Sequence, residues 1–332
     1  MGDVALTTPV LKGMREQYPD VEILMLTKPV FKPFFTSFEG LQLFLADFKK
    51  RHKGILGLYR LFRDIRKLGK VDYVIDLHNV IRSKVLTFFF RLNGVPVSII
   101  DKGRSEKKSL IKGKRKNKLK HSIERYQDVF AKAGFRIVQS SAPWIIPSCE
   151  AVVSAEKNTG ITPSLNIGVA PYAKHVLKMW PEENMVSLLN MISEKYKAKF
   201  WLFGGEDESE RLISFQNKIP GSLNLAGKLI LEEELAMMTR LNFMISMDSS
   251  NMHMAALTGT KVISIWGGTD PFAGFGAWMQ PENFFISIPV DQLACRPCSI
   301  YGKGKCLRGD LACLKWLTPE MVFERMINLE IW

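Results

Sequence analysis

The sequence predicts an α/β protein with two Rossmann-like, doubly wound domains that face each other across a cleft. Short apolar segments of strand length alternate with helical segments along the chain, which is typical of βαβ units and a parallel sheet. A polar segment at 147–163 interrupts this alternation once, after which it restarts. The length of 332 residues, of which 46% are hydrophobic, is sufficient for two cores.

The first half contains the elements of one such domain. In order, the sequence predicts a helix at 9–17, a strand at 21–26, a helix at 56–68, a buried strand at 71–77, a further helix and a strand at 97–100. The strands are short and apolar, and the helices are long enough to cross back over a sheet. We therefore assign residues 1–160 to an N-terminal domain.

The second half repeats this organisation. Its predicted strands lie at 166–170, 199–203, 222–225, 243–247 and 261–266, and helices begin near 181, 206, 232 and 252 between them. Proline or acidic residues open the first two of these helices, as is typical of helix N-termini. We assign 161–317 to a C-terminal domain and 318–332 to a final helix that is expected to pack back on the N-terminal domain.

The most informative segment is Phe243–Ala256, in which an apolar strand ends in an Asp-Ser-Ser turn and a helix begins at once. At the carboxyl end of such a strand, the free N–H groups and the positive end of the helix dipole suit a phosphate. Asp248 and His253 add a carboxylate and an imidazole close by. The alternative is structural, with Asp248 or Ser249 capping the helix and His253 packed on the sheet.

Positive charge predicts an anionic partner. The net charge is +13, and the segment 101–121 alone holds ten Lys or Arg residues against Asp101 and Glu106. An anionic membrane surface or a phosphorylated or carboxylated glycolipid would fit this charge. Nucleic acid is not expected, because the segment lacks aromatic residues between its basic residues. The alternative is a solvated loop without a ligand.

The spacing of the cysteines bears on a possible metal site. Four of the five cysteines are spaced Cys295-x2-Cys298-x7-Cys306-x6-Cys313. Only the first pair has the tight spacing of a zinc ribbon, so no metal is assigned, although a metal site stays an alternative.

No apolar run approaches the length of a membrane span, and no signal peptide opens the chain. We therefore expect a cytoplasmic protein without disulfides.

Four motifs coincide in order and spacing over nearly the whole chain. They are Gly2-Asp3-Val4-x3-Thr8-Pro9-Val10-Leu11, Lys178-x-Trp180-Pro181-Glu182, Phe203-Gly204-Gly205 and Asp248-Ser249-x3-His253-x-Ala255-Ala256. Together they resemble the family 9 glycosyltransferases, the ADP-heptose:lipopolysaccharide heptosyltransferases. The resemblance implies the glycosyltransferase B fold and a metal-independent, inverting transfer. The sugar, heptose or a related one, would pass from an ADP-sugar to the inner core or lipid A of lipopolysaccharide.

The resemblance also implies roles for individual residues. Asp3 matches the catalytic aspartate, which would take the proton of the attacking acceptor hydroxyl. Lys178 matches the phosphate-binding lysine, which would stabilise the departing diphosphate together with backbone amides. The residues expected around the diphosphate and the donor sugar are Asp248, Ser249, Ser250 and His253.

The nucleotide end of the donor is assigned in the same way. Glu206 or Glu208 would bind the ribose, because a carboxylate accepts hydrogen bonds from two hydroxyls. The sequence leaves open which of the two does so, and both could instead cap a helix. Leu229 lies where the family lines its adenine pocket, but a leucine is equally at home in an ordinary core. Beyond the ADP-sugar co-substrate, no cofactor is expected.

The basic segment would meet the acceptor, because lipopolysaccharide inner cores carry carboxylates and phosphates. The residues expected to do so are Lys114, Arg115, Lys116, Lys120 and Arg125. The same charge would allow peripheral attachment to the inner face of the inner membrane.

The start of the chain departs from the family pattern. A doubly wound domain normally opens with a buried strand before the Gly2-Asp3 loop, and no such strand precedes Gly2 here. We expect the native product to carry an N-terminal extension rich in Ile, Val and Leu. Without it, the first sheet would lack a central strand, and Asp3 would be mobile.

Two other functions compete with the transferase. One is a non-catalytic basic protein that uses a nucleotide fold to dock on anionic membrane or nucleic acid. The other is a nucleotide-sugar epimerase of similar two-domain fold. Asp3 distinguishes a transferase from the non-catalytic binding protein, because a binding module has no use for a carboxylate that faces the cleft.

Overall fold

Two α/β halves make up the computed structural model, which describes residues 1–113, 117–329 and 331–332. Three of the residues expected to bind the acceptor, Lys114, Arg115 and Lys116, lie outside the described residues. Among the described residues, none of the helices combines the length and the hydropathy that a bilayer crossing requires.

The N-terminal half holds its strands as two separate parallel pairs, β1 with β2 and β3 with β4. Among the described residues no strand joins the two pairs, as expected for a first sheet that lacks its central strand. The elements are α1 Gly2–Ala5, α2 Thr8–Gln17, β1 Ile23–Thr27, β2 Leu41–Leu45, α3 Gly54–Arg66, β3 Val74–Asp76, α4 Ile81–Leu92, β4 Val97–Ile99, α5 Arg104–Ile111, α6 Ser122–Lys132 and α7 Cys149–Thr159, with a 3₁₀ helix at Pro29–Phe35.

Helix α7 corrects the sequence analysis, which treated 147–163 only as a polar interruption. The Ser148 side chain caps the helix by accepting a hydrogen bond from the Ala151 N–H, and Gly160 ends it in a left-handed conformation. Ala155 is buried and packs in the same core as the neighbouring residues of the C-terminal half. A capped helix with a small buried face is stable here because of tertiary packing.

The C-terminal half contains a six-stranded, fully parallel sheet. The elements are β5 Leu165–Ala170, α8 Glu182–Lys195, β6 Ala198–Leu202, α9 Ser209–Gln216, β7 Ser222–Asn224, α10 Leu231–Met238, β8 Phe243–Met247, α11 Ser250–Leu257, β9 Lys261–Ile265, β10 Phe285–Ile286, α12 Ala312–Lys315 and α13 Pro319–Ile327, with 3₁₀ helices at Val176–Lys178, Glu206–Glu208, Pro271–Ala273 and Glu282–Phe284.

The order of these strands determines where a ligand can bind. The sheet runs β7-β6-β5-β8-β9-β10, so the direction in which the chain adds strands reverses between β5 and β8. This is the strand order of a doubly wound sheet, whose ligands bind beyond the carboxyl ends of the strands at the switch point. The segments that follow β5 and β8 are therefore expected to form the site.

Helix α13 packs on the C-terminal half and not on the N-terminal half, so the expectation for residues 318–332 was wrong. Its buried residues Val322 and Met326 belong to the core that contains Leu188 and Ile192 of α8. The apolar stripe of α13 therefore packs against α8 of the C-terminal half. The Thr318 side chain caps α13 by accepting from the Met321 N–H.

A second core joins the two halves. It contains Leu6 and Val10 from the start of the chain together with Met252 and Leu257 of α11, all buried. The backbone N–H groups of residues 144 and 145 both donate to the Leu257 carbonyl oxygen, at 2.8 and 3.0 Å. The halves are thus held by continuous apolar packing, which fixes α1 against α11.

A linking segment at 119–122 also runs from one half along the loop 272–276 of the other. The N–H groups of Leu119 and Ser122 donate to the carbonyl oxygens of Phe272 and Gly274, at 2.8 and 3.0 Å. The His121 Nδ1 accepts from the Ile123 N–H, and its Nε2 donates to the Gly276 carbonyl oxygen at 3.0 Å. Burial lowers the pKa of His121 to about 3, so this bridging imidazole is neutral.

A neutral, buried His121 makes the stability of the fold depend on pH. The unfolded chain binds a proton near pH 6.5 and the folded chain only near pH 3. The contribution of His121 to the free energy of unfolding is therefore fully present above pH 6.5. It is lost as the pH falls from 6.5 towards 3. At pH 5 the loss is about 2 kcal/mol of the free energy of unfolding. Denaturant titrations at pH 7 and pH 5 should show a smaller pH effect in His121→Asn than in the unsubstituted protein.

The matched control is His175→Asn, because His175 is only partly buried. This variant should retain most of the pH dependence. An equal pH effect in His121→Asn and the unsubstituted protein would mean that His121 is not held neutral.

Candidate functional site

The switch point of the C-terminal sheet brings Lys178 and Asp248 together. Lys178 ends the 3₁₀ helix that follows β5, and Asp248 directly follows β8. The Lys178 Nζ lies 2.7 Å from Oδ2 of Asp248, and both side chains are largely buried. Two residues 70 positions apart in the sequence thus form one ion pair at the edge of the sheet where the strand order predicts a ligand.

Asp248 is also held by the loop that follows β9. The Thr269 hydroxyl donates to Oδ2 of Asp248 at 2.9 Å, and Thr269 itself is buried. A charge-assisted hydrogen bond and an ion pair therefore converge on one carboxylate oxygen. The carboxylate is fixed in orientation before any ligand arrives.

Arg296, in the cysteine-rich segment near the end of the chain, holds this loop. The guanidinium is buried and donates to the carbonyl oxygens of Gly267 at 2.6 Å and of Thr269 at 3.0 Å, and also to that of Ile288. Its NH2 group lies 3.6 Å from Oδ2 of Asp270. Arg296 is therefore a positioning residue for Thr269.

The alkyl chain of Lys178 lies against the backbone of Gly302. A Cβ atom at position 302 would come within 2.6 Å of Cγ of Lys178, and Gly302 has a φ of +73°. Any other residue there would press on the lysine and strain the backbone. The close approach of this glycine directs the ammonium towards Asp248.

The first turn of α11 leaves its N–H groups without side-chain caps. Ser249 is the N-cap residue but makes no capping hydrogen bond, and its hydroxyl lies 3.2 Å from the Ser246 hydroxyl instead. Ser250 and Asn251, the first helical residues, are partly exposed. Uncapped N–H groups and the positive end of the helix dipole thus point beyond the sheet edge beside Lys178. The capping alternative for Ser249 is not what the structure contains.

His253 is buried one turn further along α11. Burial lowers its pKa to about 4, against the opposing effects of the Asp248 and Asp3 charges. Its Nδ1 is buried and has no hydrogen-bond partner within the described residues. The imidazole is therefore neutral and lies in the electrostatic field of both carboxylates.

The Gly2-Asp3 pair contacts α11 directly. A Cβ atom at Gly2 would lie 3.1 Å from Cδ2 of His253 and 3.9 Å from Cα of Ser250. The small residue lets α1 approach the first turn of α11, and Asp3 is exposed at the next position. The Tyr126 hydroxyl donates to the Asp3 carbonyl oxygen at 3.2 Å and fixes the backbone. The Gly2-Asp3 pair of the N-terminal half therefore lies beside the first turn of α11 in the C-terminal half.

Two lysines of the N-terminal half, Lys102 and Lys107, lie within electrostatic reach of Asp3. Lys107 is buried, and its ammonium lies 4.2 Å from the ring centre of Phe275 and 5.9 Å from that of Tyr301. Burial lowers the pKa of Lys107 to about 8, and the Asp3 charge opposes this shift. Burial likewise lowers the pKa of Lys102, and Asp3 again opposes it. Asp3 thus lies close to two partly dehydrated cations.

The two glutamates after Phe203-Gly204-Gly205 differ in their surroundings. The Glu208 Oε2 accepts a hydrogen bond from the Gly205 N–H at 2.9 Å and so caps the short helix that contains both residues. Glu206 is exposed, and its Cγ lies 3.9 Å from the position of a Cβ at Gly227. Leu229, two residues later, is half-buried against the shared core. Glu206 therefore lies beside Gly227, two residues before Leu229.

Both described acceptor candidates already have anionic partners. The Lys120 ammonium is exposed and lies 2.8 Å from Oδ2 of Asp128. Arg125 is buried, and its NH2 group lies 2.5 Å from Oε2 of Glu106. Arg125 thus has a structural role in joining α5 to α6, and its contact with an acceptor stays a prediction.

The cysteine-rich segment contains free thiols. Over the part of the chain that the structure describes, no group of three or more His, Cys, Asp or Glu side chains has the arrangement of a metal site. The role visible in the structure belongs to its neighbours Arg296 and Gly302, which position Thr269 and Lys178.

Sequence reasoning missed Lys102, Lys107, Thr269, Arg296 and Gly302. Thr269 lies in the segment Gly267-Gly268-Thr269-Asp270-Pro271, and the position of this segment just after the predicted strand 261–266 was a signal that could have been followed. Lys107 was counted only as one charge of a basic run, because its contacts with Phe275 and Tyr301 are remote in sequence. Nothing local distinguishes a buried lysine in such a run from an exposed one.

Comparisons with known proteins identify the family of the chain. The family model described as glycosyltransferase family 9 (heptosyltransferase) matches residues 59–298. Lipooligosaccharide heptosyltransferase 2 of Campylobacter jejuni is 23% identical over 342 aligned residues, which cover 99% of this chain and 95% of that protein.

Two solved structures share the fold. A family 9 glycosyl transferase from Veillonella parvula has a TM-score of 0.78 at 22% identity and covers 99% of this chain and 94% of its own. The Escherichia coli heptosyltransferase WaaC with ADP-2-deoxy-2-fluoro heptose has a TM-score of 0.66 at 19% identity and covers 99% and 96%. Because the family model matches more than half of the chain, the chain belongs to glycosyltransferase family 9, the heptosyltransferases.

Proposed function

We propose that the chain transfers heptose from ADP-heptose to the inner core of lipopolysaccharide, with inversion of the anomeric carbon. The observation that carries this proposal is the close approach of Gly2, the neighbour of Asp3, to Ser250 and His253 in the uncapped start of α11, which follows Asp248 of the Lys178–Asp248 pair. The names of the relatives support the choice of sugar and acceptor. A non-catalytic binding protein and an epimerase are not favoured, because the matching family model is that of a transferase.

In the proposed reaction, Asp3 is the general base. A hydroxyl oxygen of the acceptor attacks the anomeric carbon of the donor while the bond from that carbon to the diphosphate oxygen breaks. The hydroxyl proton passes to the Asp3 carboxylate, and ADP leaves with the electron pair of the broken bond. An exposed carboxylate next to the cleft can meet this proton on the acceptor side.

The leaving group gains negative charge, and the switch point of the sheet is suited to stabilise it. The Lys178 ammonium and the first-turn N–H groups of α11 are positioned before the donor binds. Fixed donors in a partly buried site lower the barrier without reorganisation during the reaction. Ser249 and Ser250 add hydroxyls, and neutral His253 can offer a hydrogen bond to the donor but no charge.

The nucleotide extends from this point towards Glu206 and Leu229. Of the two glutamates, Glu206 is assigned to the ribose hydroxyls, because Glu208 is used as a helix cap. Leu229 provides an apolar wall for the adenine from its place beside the shared core. Ribose and base thereby lie beyond the carboxyl ends of the strands on the β6–β7 side of the switch point.

The acceptor side is assigned to the N-terminal half. Burial lowers the pKa of both Lys102 and Lys107 and the Asp3 charge opposes this shift, so the two ammonium groups lie within electrostatic reach of Asp3. They can therefore bind an acidic group of the acceptor beside the attacking hydroxyl. The exposed basic segment around Lys120 supplies further charge for a phosphorylated or carboxylated core. A cytoplasmic enzyme that works at the inner face of the inner membrane fits such an acceptor.

Asp3→Asn tests the assignment of the base. The substitution should lower kcat by about 10²- to 10⁴-fold, which is the usual effect of removing a general base. ADP affinity, measured by calorimetry, should stay unchanged because Asp3 does not contact the nucleotide. The matched control is Asp20→Asn, an exposed carboxylate after α2. Full transfer by Asp3→Asn would remove Asp3 from the mechanism.

Glu206→Gln and Glu208→Gln separate the two glutamates. Loss of a charge-assisted hydrogen bond to the ribose should weaken ADP binding by about tenfold or more in Glu206→Gln. Glu208→Gln should leave the dissociation constant of ADP unchanged. Calorimetric titration of both variants decides between them, and the opposite ranking would assign the ribose to Glu208.

A further inference from the structure

Helix α3 presents an unusual outer face. Its buried side consists of Gly57, Leu58, Leu61, Phe62 and Ile65. The outer side is a continuous arc at helical spacing that contains apolar and basic residues and no acid, namely Ile55, Leu56, Tyr59, Arg60, Arg63, Arg66 and Lys67. Leu56 is 75% exposed and Ile55 is 69% exposed. The outer face of an ordinary surface helix is polar and mixed in charge.

Helix α4 continues the same pattern. Ile81, Phe88 and Leu92 lie on one stripe at helical spacing, and they are 83%, 54% and 67% exposed. Lys84 and Arg91 flank this stripe, and residues 78–94 contain no acidic residue. A stripe of large apolar side chains in water points to an interaction surface.

The two helices form one surface. The rings of Tyr59 and Phe89 pack edge to face with centroids 5.4 Å apart, and the Arg66 guanidinium donates to the Asn93 side-chain oxygen at 2.8 Å. These contacts place α3 and α4 side by side, running in the same direction. The one acid of α3, Asp64, is paired with Arg51 and His52. The combined surface, named here the α3–α4 face, is therefore apolar and basic.

We propose that the α3–α4 face docks on a lipid bilayer with anionic head groups. Apolar side chains that enter the interface, ringed by Lys and Arg beside lipid phosphates, are the features of a protein surface that lies on a membrane. A second copy of this chain fits poorly, because a two-fold contact would press the cations of one face against those of the other. The charge of the face is complementary to an anionic membrane.

This orientation agrees with the position of the cleft. Helix α4 begins five residues after β3, and His78 between them has a pKa that burial lowers and the Asp3 charge raises. The start of α4, which contributes Ile81 to the α3–α4 face, therefore lies at the same end of the N-terminal half as Asp3. A lipid-anchored acceptor in the same bilayer could reach Asp3 without leaving the membrane.

Co-sedimentation with vesicles tests the inference and requires no sugar transfer. The protein should bind vesicles that contain phosphatidylglycerol and should bind phosphatidylcholine vesicles weakly. Arg60→Gln/Arg63→Gln/Lys84→Gln should lower the partition coefficient on anionic vesicles about a hundredfold. Ile81→Gln/Leu92→Gln should lower it about a hundredfold or more, since two large apolar side chains no longer enter the interface.

The matched control is Val153→Gln/Ile213→Gln, on α7 and α9, where the side chains are 64% and 53% exposed. It should bind vesicles like the unsubstituted protein, and all variants should bind ADP equally in calorimetry, as expected of an intact fold. The inference is overturned if the control loses as much binding as the face variants, or if phosphatidylcholine vesicles bind equally well. It is also overturned if light scattering shows a dimer that the face variants dissociate.

Discussion

The junction between β8 and α11 determines the arrangement of the whole site. Because β8 is buried and lies beside β5 at the switch point, the residues after these two strands meet at one edge of the sheet. Lys178 and Asp248 pair there at 2.7 Å, and the uncapped first turn of α11 adds N–H groups. The approach of Gly2 to His253 then brings the Gly2-Asp3 pair to this junction. A shift of α11 would therefore displace the Gly2-Asp3 pair as well.

The end of the chain stabilises this junction from a distance in sequence. Arg296 fixes the loop that carries Thr269, Thr269 holds Asp248, and Gly302 confines Lys178. The Cys-rich segment therefore supports the Lys178–Asp248 pair through its non-cysteine residues. Burial of these charges costs desolvation, and the Lys178–Asp248 ion pair and the carbonyl acceptors of Arg296 offset that cost.

Much of the fold follows from local sequence, and the rest depends on long-range contacts. The strand Phe243–Met247 lies where the sequence predicts it, because a fully buried apolar run followed by Asp-Ser-Ser has few alternatives. Strand β2, with its half-exposed Leu41–Leu45, was not predicted, and α7 was missed within a polar segment. The burial of Lys107 between Phe275 and Tyr301 could not be predicted, since only the folded chain brings those rings to it.

The most direct test of the account is a crystal structure of the chain with ADP-2-deoxy-2-fluoro-heptose, a donor analogue that cannot complete the transfer. The account predicts the diphosphate at the start of α11, within hydrogen-bond distance of the Lys178 ammonium, and the anomeric carbon between it and the Asp3 carboxylate. A diphosphate bound away from α11, or an Asp3 carboxylate on the same side of the anomeric carbon as the leaving oxygen, would contradict it.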